Sequence, residues 1–295
     1  MTLGADPDRL RIHVAALTGP RHPRTAPGAL HDAEDYIARA LAALGLAVER
    51  PSFGFGGAEY RNVVATMTGL DPAAPRVLVG AHFDTVPGTP GADDNASGVA
   101  ALLEVARLVV GNRLKATVEF VGFNLEEPQG VRYRVGSHAY ARAARRRGAR
   151  YSGALILEMV GYTDPRPGSQ RVPALLFWKR VPRTGTFLAA IGDGASGHLL
   201  RDFAFTARAA VPELSVVTFR SPWRGWLVPQ TRLSDNASFW DSGYPALMIT
   251  DTAFLRNPYY HTLGDRAQTL DFPFMARVTS VVASTVVGLG GESTG

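Results

Sequence analysis

Short apolar runs rich in β-branched residues alternate, along most of this chain, with longer stretches whose apolar residues recur at helical spacing. The alternation predicts strands over residues 62–67, 76–80, 116–122, 154–159, 174–178, 215–219 and 246–250. It predicts helices over 97–110, 136–147, 183–191, 196–207, 236–240 and 274–289. Two amphipathic helices precede these, at about 8–17 and 29–46, the second stopped by Gly45. Short strands separated by helices predict a three-layer α/β/α fold around a mostly parallel, mixed central sheet covered on both faces. No internal repeat divides the chain, so residues 1–295 are expected to form one domain. The segments 164–173 and 222–229 read as loops; Trp223 and Trp226 in the second either line an apolar pocket or pack the loop.

In such sheets ligands collect at the carboxyl ends of the strands. His82 and Asp84 follow the strand at 76–80, Glu126 and Glu127 follow 116–122, and Glu158 closes the run at 154–157. Asp93 and Asp94 stand in the loop before the helix at 97, and His261 lies in Tyr-Tyr-His-Thr near the C-terminus. Each group alone has a plain explanation. Gly-Ala-Asp-Asp-Asn-Ala-Ser-Gly is a natural N-cap, and Glu126-Glu127-Pro128 suits a helix start. Glu158 is harder to dismiss, because a carboxylate ending an apolar strand needs a cation or several donors. Taken together, imidazole and carboxylate without thiolate point to hydrolytic zinc chemistry in a metal-dependent amide hydrolase.

Composition narrows the picture. The chain has 295 residues, 46% of them hydrophobic and only 19% charged, which suits a large core and excludes a disordered chain. The net charge of +5 is mild, and the one basic cluster, 142–150, lacks interleaved aromatics; it reads as a solvated helix face, with no nucleic acid expected. The absence of cysteine removes disulfides, thiolate metal sites and a thiol nucleophile. No signal-peptide pattern opens the chain and no apolar stretch reaches the ~20 residues that span a bilayer, so no membrane association and a cytoplasmic location are expected.

The ordered motifs His82-x-Asp84, Pro90-Gly-Ala-Asp-Asp-Asn-Ala-Ser-Gly98, Glu126-Glu127, Glu158-Met-Val-Gly161, Ser234-Asp235, Gly243-Tyr-Pro-Ala246 and Tyr260-His-Thr262 resemble the M28 family of zinc-dependent exopeptidases over nearly the whole chain. The resemblance implies an aminopeptidase-type enzyme with two Zn2+ ions and a mixed sheet flanked by helices. It implies that His82 and Glu158 bind one zinc, Glu127 and His261 the other, and that Asp93 bridges them. Asp94 would follow across an unusual peptide bond, Asp84 would orient His82, and Glu126 would be the general base. Consecutive residues leaving a strand point in opposite directions, so Glu126 and Glu127 are expected to divide these roles. The family's usual Asp is here Glu158, its Ser-Asp-His is Ser234-Asp235-Asn236, and a tyrosine that serves the oxyanion in some members is matched by Thr231.

The expected substrate is a peptide or small amide cleaved at a terminal residue. A metal-dependent acyl transfer, such as cyclisation of an N-terminal glutaminyl residue, is the alternative on the same site. A binding protein that has kept only the fold is the third reading. His13, His22, His31, His138 and His198 lack motif support and read as surface or structural; Arg220, Arg224, Arg232 and Arg256 read as ordinary surface or loop arginines, with binding of a substrate carboxylate as the alternative.

Overall fold

The computed structural model describes residues 3–173 and 180–291. Two helices open the chain, α1 (Pro7–Leu17) and α2 (Pro27–Ala42). Asp6 caps α1 by accepting from the Asp8 N–H, and Pro7 occupies the first turn, where no N–H is needed. Strand β1 (Ala47–Glu49) and the hairpin β2 (Ser52–Phe55) and β3 (Ala58–Arg61) follow, then β4 (Val63–Met67) and β5 (Arg76–His82). The rest alternates: α3 (Gly98–Val109), β6 (Val118–Phe123), α4 (Val135–Arg146), β7 (Tyr151–Glu158), β8 (Leu188–Gly192), α5 (Gly197–Ala210), β9 (Val216–Arg220), α6 (Asn236–Asp241), β10 (Ala246–Thr250) and α7 (Phe272–Gly290).

Eight strands form one mixed sheet in the order β1-β4-β6-β5-β7-β10-β8-β9. The central four, β6, β5, β7 and β10, are mutually parallel, while β4 and β8 run against their neighbours β6 and β10. β5, β6 and β10 are buried at nearly every position, as strands covered on both faces must be. α2, α3, α5 and α7 pack one face through Ile37, Val105, Phe203 and Val282; α4 and α6 cover the other through Tyr140, Phe239 and Trp240. α7 is by length and composition apolar enough to cross a membrane, but 67% of its apolar window is buried inside the fold, as in the core helix of a globular domain.

The predicted strand at 246–250 matches β10, and the other predicted helices and strands in described residues fall within a few residues of observed ones, with one exception. The predicted helix at 183–191 is instead irregular chain followed by β8, which sits between β10 and β9 in register Met248↔Ile191 and Ala190↔Thr218. β1, β2 and β3 had no predicted counterpart, and the predicted strand at 174–178 lies outside the described residues.

Candidate metal centre

The parallel register sets β5, β6 and β7 side by side with Gly80 opposite both Val121 and Ile156, so their carboxyl ends open on one edge. His82 ends β5, Glu126 and Glu127 follow β6, and Glu158 ends β7. Ligand atoms of His82, Asp94 and Glu158 lie within 4.8 Å of one another, and so do those of Asp94, Glu127 and His261. Asp94 belongs to both groups. Its Oδ1 is 3.3 Å from His82 Nε2, and its Oδ2 is 3.1 Å from His261 Nε2. Glu158 Oε2 stands 3.5 Å from His82 Nε2, and Glu127 Oε1 3.4 Å from His261 Nε2.

Asp93, the residue expected between the two histidines, does not reach the cluster. Its carboxylate turns into the protein and accepts from the Gly161 N–H at 3.0 Å and from Asn257 Nδ2 at 2.7 Å. The position expected of Asp93 is occupied by Asp94, and the cis peptide bond lies one residue later than expected, between Asp94 and Asn95. Adjacent residues of this loop face opposite sides, so only one of the two carboxylates can join the edge cluster. Asn95 ties the loop to β7, donating to Leu157 O and accepting from the Gly98 and Met159 N–H groups.

Glu126 and Glu127 are not splayed as residues leaving an extended strand would be. Ligand atoms of both approach His82 within the same 4.8 Å. Leu125 just before them is held at φ 56°, which turns the chain, and Asp84 takes both following N–H groups, Glu126 N at 2.9 Å and Glu127 N at 3.1 Å. The same Asp84 carboxylate stands 3.6 Å from His82 Nδ1, so one buried acid faces the imidazole and braces the glutamate turn. Met159 and His261 also adopt positive φ beside the cluster (47° and 57°), a conformation costly for such residues and concentrated at functional sites. Ser234 Oγ donates to Glu158 Oε2 at 2.6 Å, while Asn236 is spent on Thr231 O. Thr231 engages Ser221 and Val228 O.

One acid carried no signal in the sequence. Asp265, almost fully buried, accepts the Asp93 N–H through Oδ1 at 2.8 Å and the Asp94 N–H through Oδ2 at 3.1 Å. It does for the aspartate loop what Asp84 does for the glutamate turn. Asp265→Asn turns an amide N–H against one of these donors. We expect zinc affinity to fall about 10- to 100-fold, as when a partner that orients a ligand is lost, measured by titrating the apoprotein.

The electrostatics fit a cation. Burial pushes Glu126 well above its ordinary range, helped by Glu127, Glu158 and Asp235, and burial together with Asp94 pushes Glu127 up to about 8. Burial opposes charge on His82 and His261, yet the surrounding carboxylates raise both, His261 to about 10. Four buried or nearly buried carboxylates therefore share two imidazoles, and both His82 nitrogens, His261 Nε2 and Asp94 Oδ1 are buried without a hydrogen-bond partner among the described residues. Buried polar atoms are normally paired. Imidazole and carboxylate donors converging in this way suit divalent zinc.

Beside Glu158 opens an apolar cavity of ≈ 120 Å³, walled by Phe187, Ile191, Phe219, Met248, Leu255 and Tyr260. Trp223 and Trp226 do not line it; they are 77% and 68% exposed, with the Arg232 guanidinium 4.1 Å over the Trp226 ring. Arg256 is buried, not on the surface, and bonds Gln170 and the carbonyls of Tyr162 and Phe187.

The model of peptidase family M28 matches residues 62–286. An uncharacterised protein of Escherichia coli (strain K12), YfbL, is 35% identical over 289 residues, covering 94% of this chain and 87% of its own length. The chain spans only 55–56% of the length of two fungal relatives, named as a probable zinc metalloprotease and a probable leucine aminopeptidase. In fold it resembles the zinc aminopeptidase BSAP from Bacillus subtilis (TM-score 0.79, 15% identity, 99% of this chain and 97% of that one). It also resembles the glutaminyl cyclase of Porphyromonas gingivalis (TM-score 0.73, 22% identity, 96% and 98%).

Proposed function

The chain belongs to peptidase family M28 and is a metal-dependent peptidase, and from that premise we propose that it is an aminopeptidase holding two zinc ions. The observation that carries this reading is Asp94 standing between two ligand groups, with His82 and Glu158 on one side and Glu127 and His261 on the other. Those five residues would hold the ions, which when bound supply Lewis acidity toward water and the scissile carbonyl. Glu126, buried beside His82 and Glu127 and with no side-chain hydrogen bond among the described residues, takes a proton from the attacking water. The water oxygen bonds to the carbonyl carbon, the C–N bond breaks, and Glu126 returns the proton to the leaving amine. Tyr260 is the oxyanion donor in this reading. It lines the cavity beside Glu158, its hydroxyl has no hydrogen bond among the described residues, and burial and the surrounding carboxylates raise its pKa, keeping it a donor.

The relative named as a probable leucine aminopeptidase and the likeness in fold to the zinc aminopeptidase BSAP support the amino over the carboxyl terminus of a peptide. The adjoining cavity has apolar walls, and leaving an unpaired charge there costs several kcal/mol. Leu, Met and Phe anilides are therefore expected to exceed Asp and Lys anilides in kcat/KM by a factor of about 10² or more. Metal analysis and product mass on the same preparations test the reading itself. Aminopeptidase action releases the terminal amino acid, with water added across the bond, and metal analysis should give two zinc ions per chain. Less than about half a zinc per chain, or a glutaminyl peptide cyclised with loss of ammonia while the anilides stay intact, would overturn it.

A further inference from the structure

Arg21 is 2% exposed and, among the described residues, forms no ion pair. Its guanidinium instead donates to main-chain carbonyls: Nε to Phe83 O at 2.7 Å, Nη2 to Gly91 O at 2.9 Å, and Nη1 to Gly19 O at 2.8 Å, Pro90 O at 3.1 Å and Leu17 O. Two of the segments so joined carry site residues. Phe83 lies between His82 and Asp84, and Pro90-Gly91 leads directly into Asp93 and Asp94. The main chain repeats the connection, with Arg21 N donating to Thr85 Oγ1 at 2.9 Å and Thr85 N to Arg21 O at 3.1 Å. Gly91, at φ 59°, leaves room for the guanidinium, because a Cβ there would stand 2.9 Å from Arg21 Nη2.

We propose that Arg21 is a positioning residue for the metal centre, holding the β5 end and the aspartate loop in register through its main-chain bonds. The inference rests on the zinc reading above. Burial lowers the arginine to about 10, opposed by Asp84, Asp265, Asp94 and Glu127, so it stays a cation at neutral pH. The planar guanidinium donates in three directions, with the two Nη1 N–H groups shared among the Leu17, Gly19 and Pro90 carbonyls, which lysine cannot match. Arg21 lies outside residues 62–286, so the segment before the family match also contributes to the site.

The test compares zinc affinity of the apoproteins of the parent, R21K and R21M, by competition with a chromophoric chelator, alongside circular dichroism, apo unfolding temperature, and kcat and KM at saturating zinc. For R21M we expect zinc affinity weakened about 10- to 100-fold, the range seen when residues orienting ligands are lost, with kcat lowered more than KM is raised. R21K, which keeps the charge but reaches fewer carbonyls, should fall between the two. A structural role alone would lower the apo unfolding temperature and leave zinc affinity within about threefold of the parent; that result overturns the proposal. If R21M does not fold, R21K decides by the same criterion. If neither folds, Arg21 is a folding determinant and the proposal is wrong. A parent that binds no zinc would instead sink the aminopeptidase reading, so the two failures are distinguishable.

Discussion

Glu126→Gln should lower kcat by a factor of 10² to about 10⁴ while leaving zinc content unchanged, because a positioned general base contributes that much. Glutamine keeps the length and shape of glutamate but has no basic oxygen. The main-chain bonds of residue 126, from its N–H to Asp84 and from Arg134 N to its carbonyl, survive the change. kcat and kcat/KM should fall together, as they do when the missing interaction exists only in the transition state. The same variant decides what the close approach of Glu126 to His82 means. Loss of zinc on substitution would make Glu126 a ligand; activity within about tenfold of the parent would place the base elsewhere. The measurements are steady-state kinetics on a leucyl anilide and metal analysis on one preparation.

Much of the fold was legible because its strands are apolar runs with clear ends. β5, β6, β7 and β10 are buried on both faces, and the chemistry-bearing residues stand where those runs stop. Where periodicity failed, packing explains why. The run Phe187-Leu-Ala-Ala-Ile reads as helix from its alanines, but pairing on both sides, with β10 and β9, makes it a strand. Short fully buried runs do not separate helix from strand by pattern alone. The hairpin β2–β3 is half exposed and too short for a clear pattern, with Phe53 and Phe55 only partly buried, and its turn relies on Gly56 and Gly57, both at positive φ. The partners that brace the site were the least legible. Asp265 reaches Asp93 across 172 residues, and Arg21 reaches Phe83 and Gly91 across 62 and 70. Single polar residues in loops announce nothing until the chain has folded.

The register of the Asp-Asp pair is the sharpest case, and it yields the second large effect. Sequence offers two adjacent acids and no way to choose between them; the loop turns one to each side. Asp94→Asn removes the carboxylate whose two oxygens face the two histidines, Oδ1 at 3.3 Å from His82 Nε2 and Oδ2 at 3.1 Å from His261 Nε2. We expect zinc below one equivalent per chain and kcat lowered by on the order of 10³, like other losses of a central electrostatic element. Asp93→Asn should behave differently. Burial and Asp251 push the Asp93 carboxyl well above its usual range, so replacing it with a neutral amide forfeits less than at a solvated carboxylate. Asparagine also keeps an oxygen for Gly161 N–H or Asn257. Its cost should be confined to stability, about 1–2 kcal/mol by urea unfolding, with zinc content retained. Zinc lost from Asp93→Asn and kept by Asp94→Asn would reverse the assignment and return the shared position to Asp93.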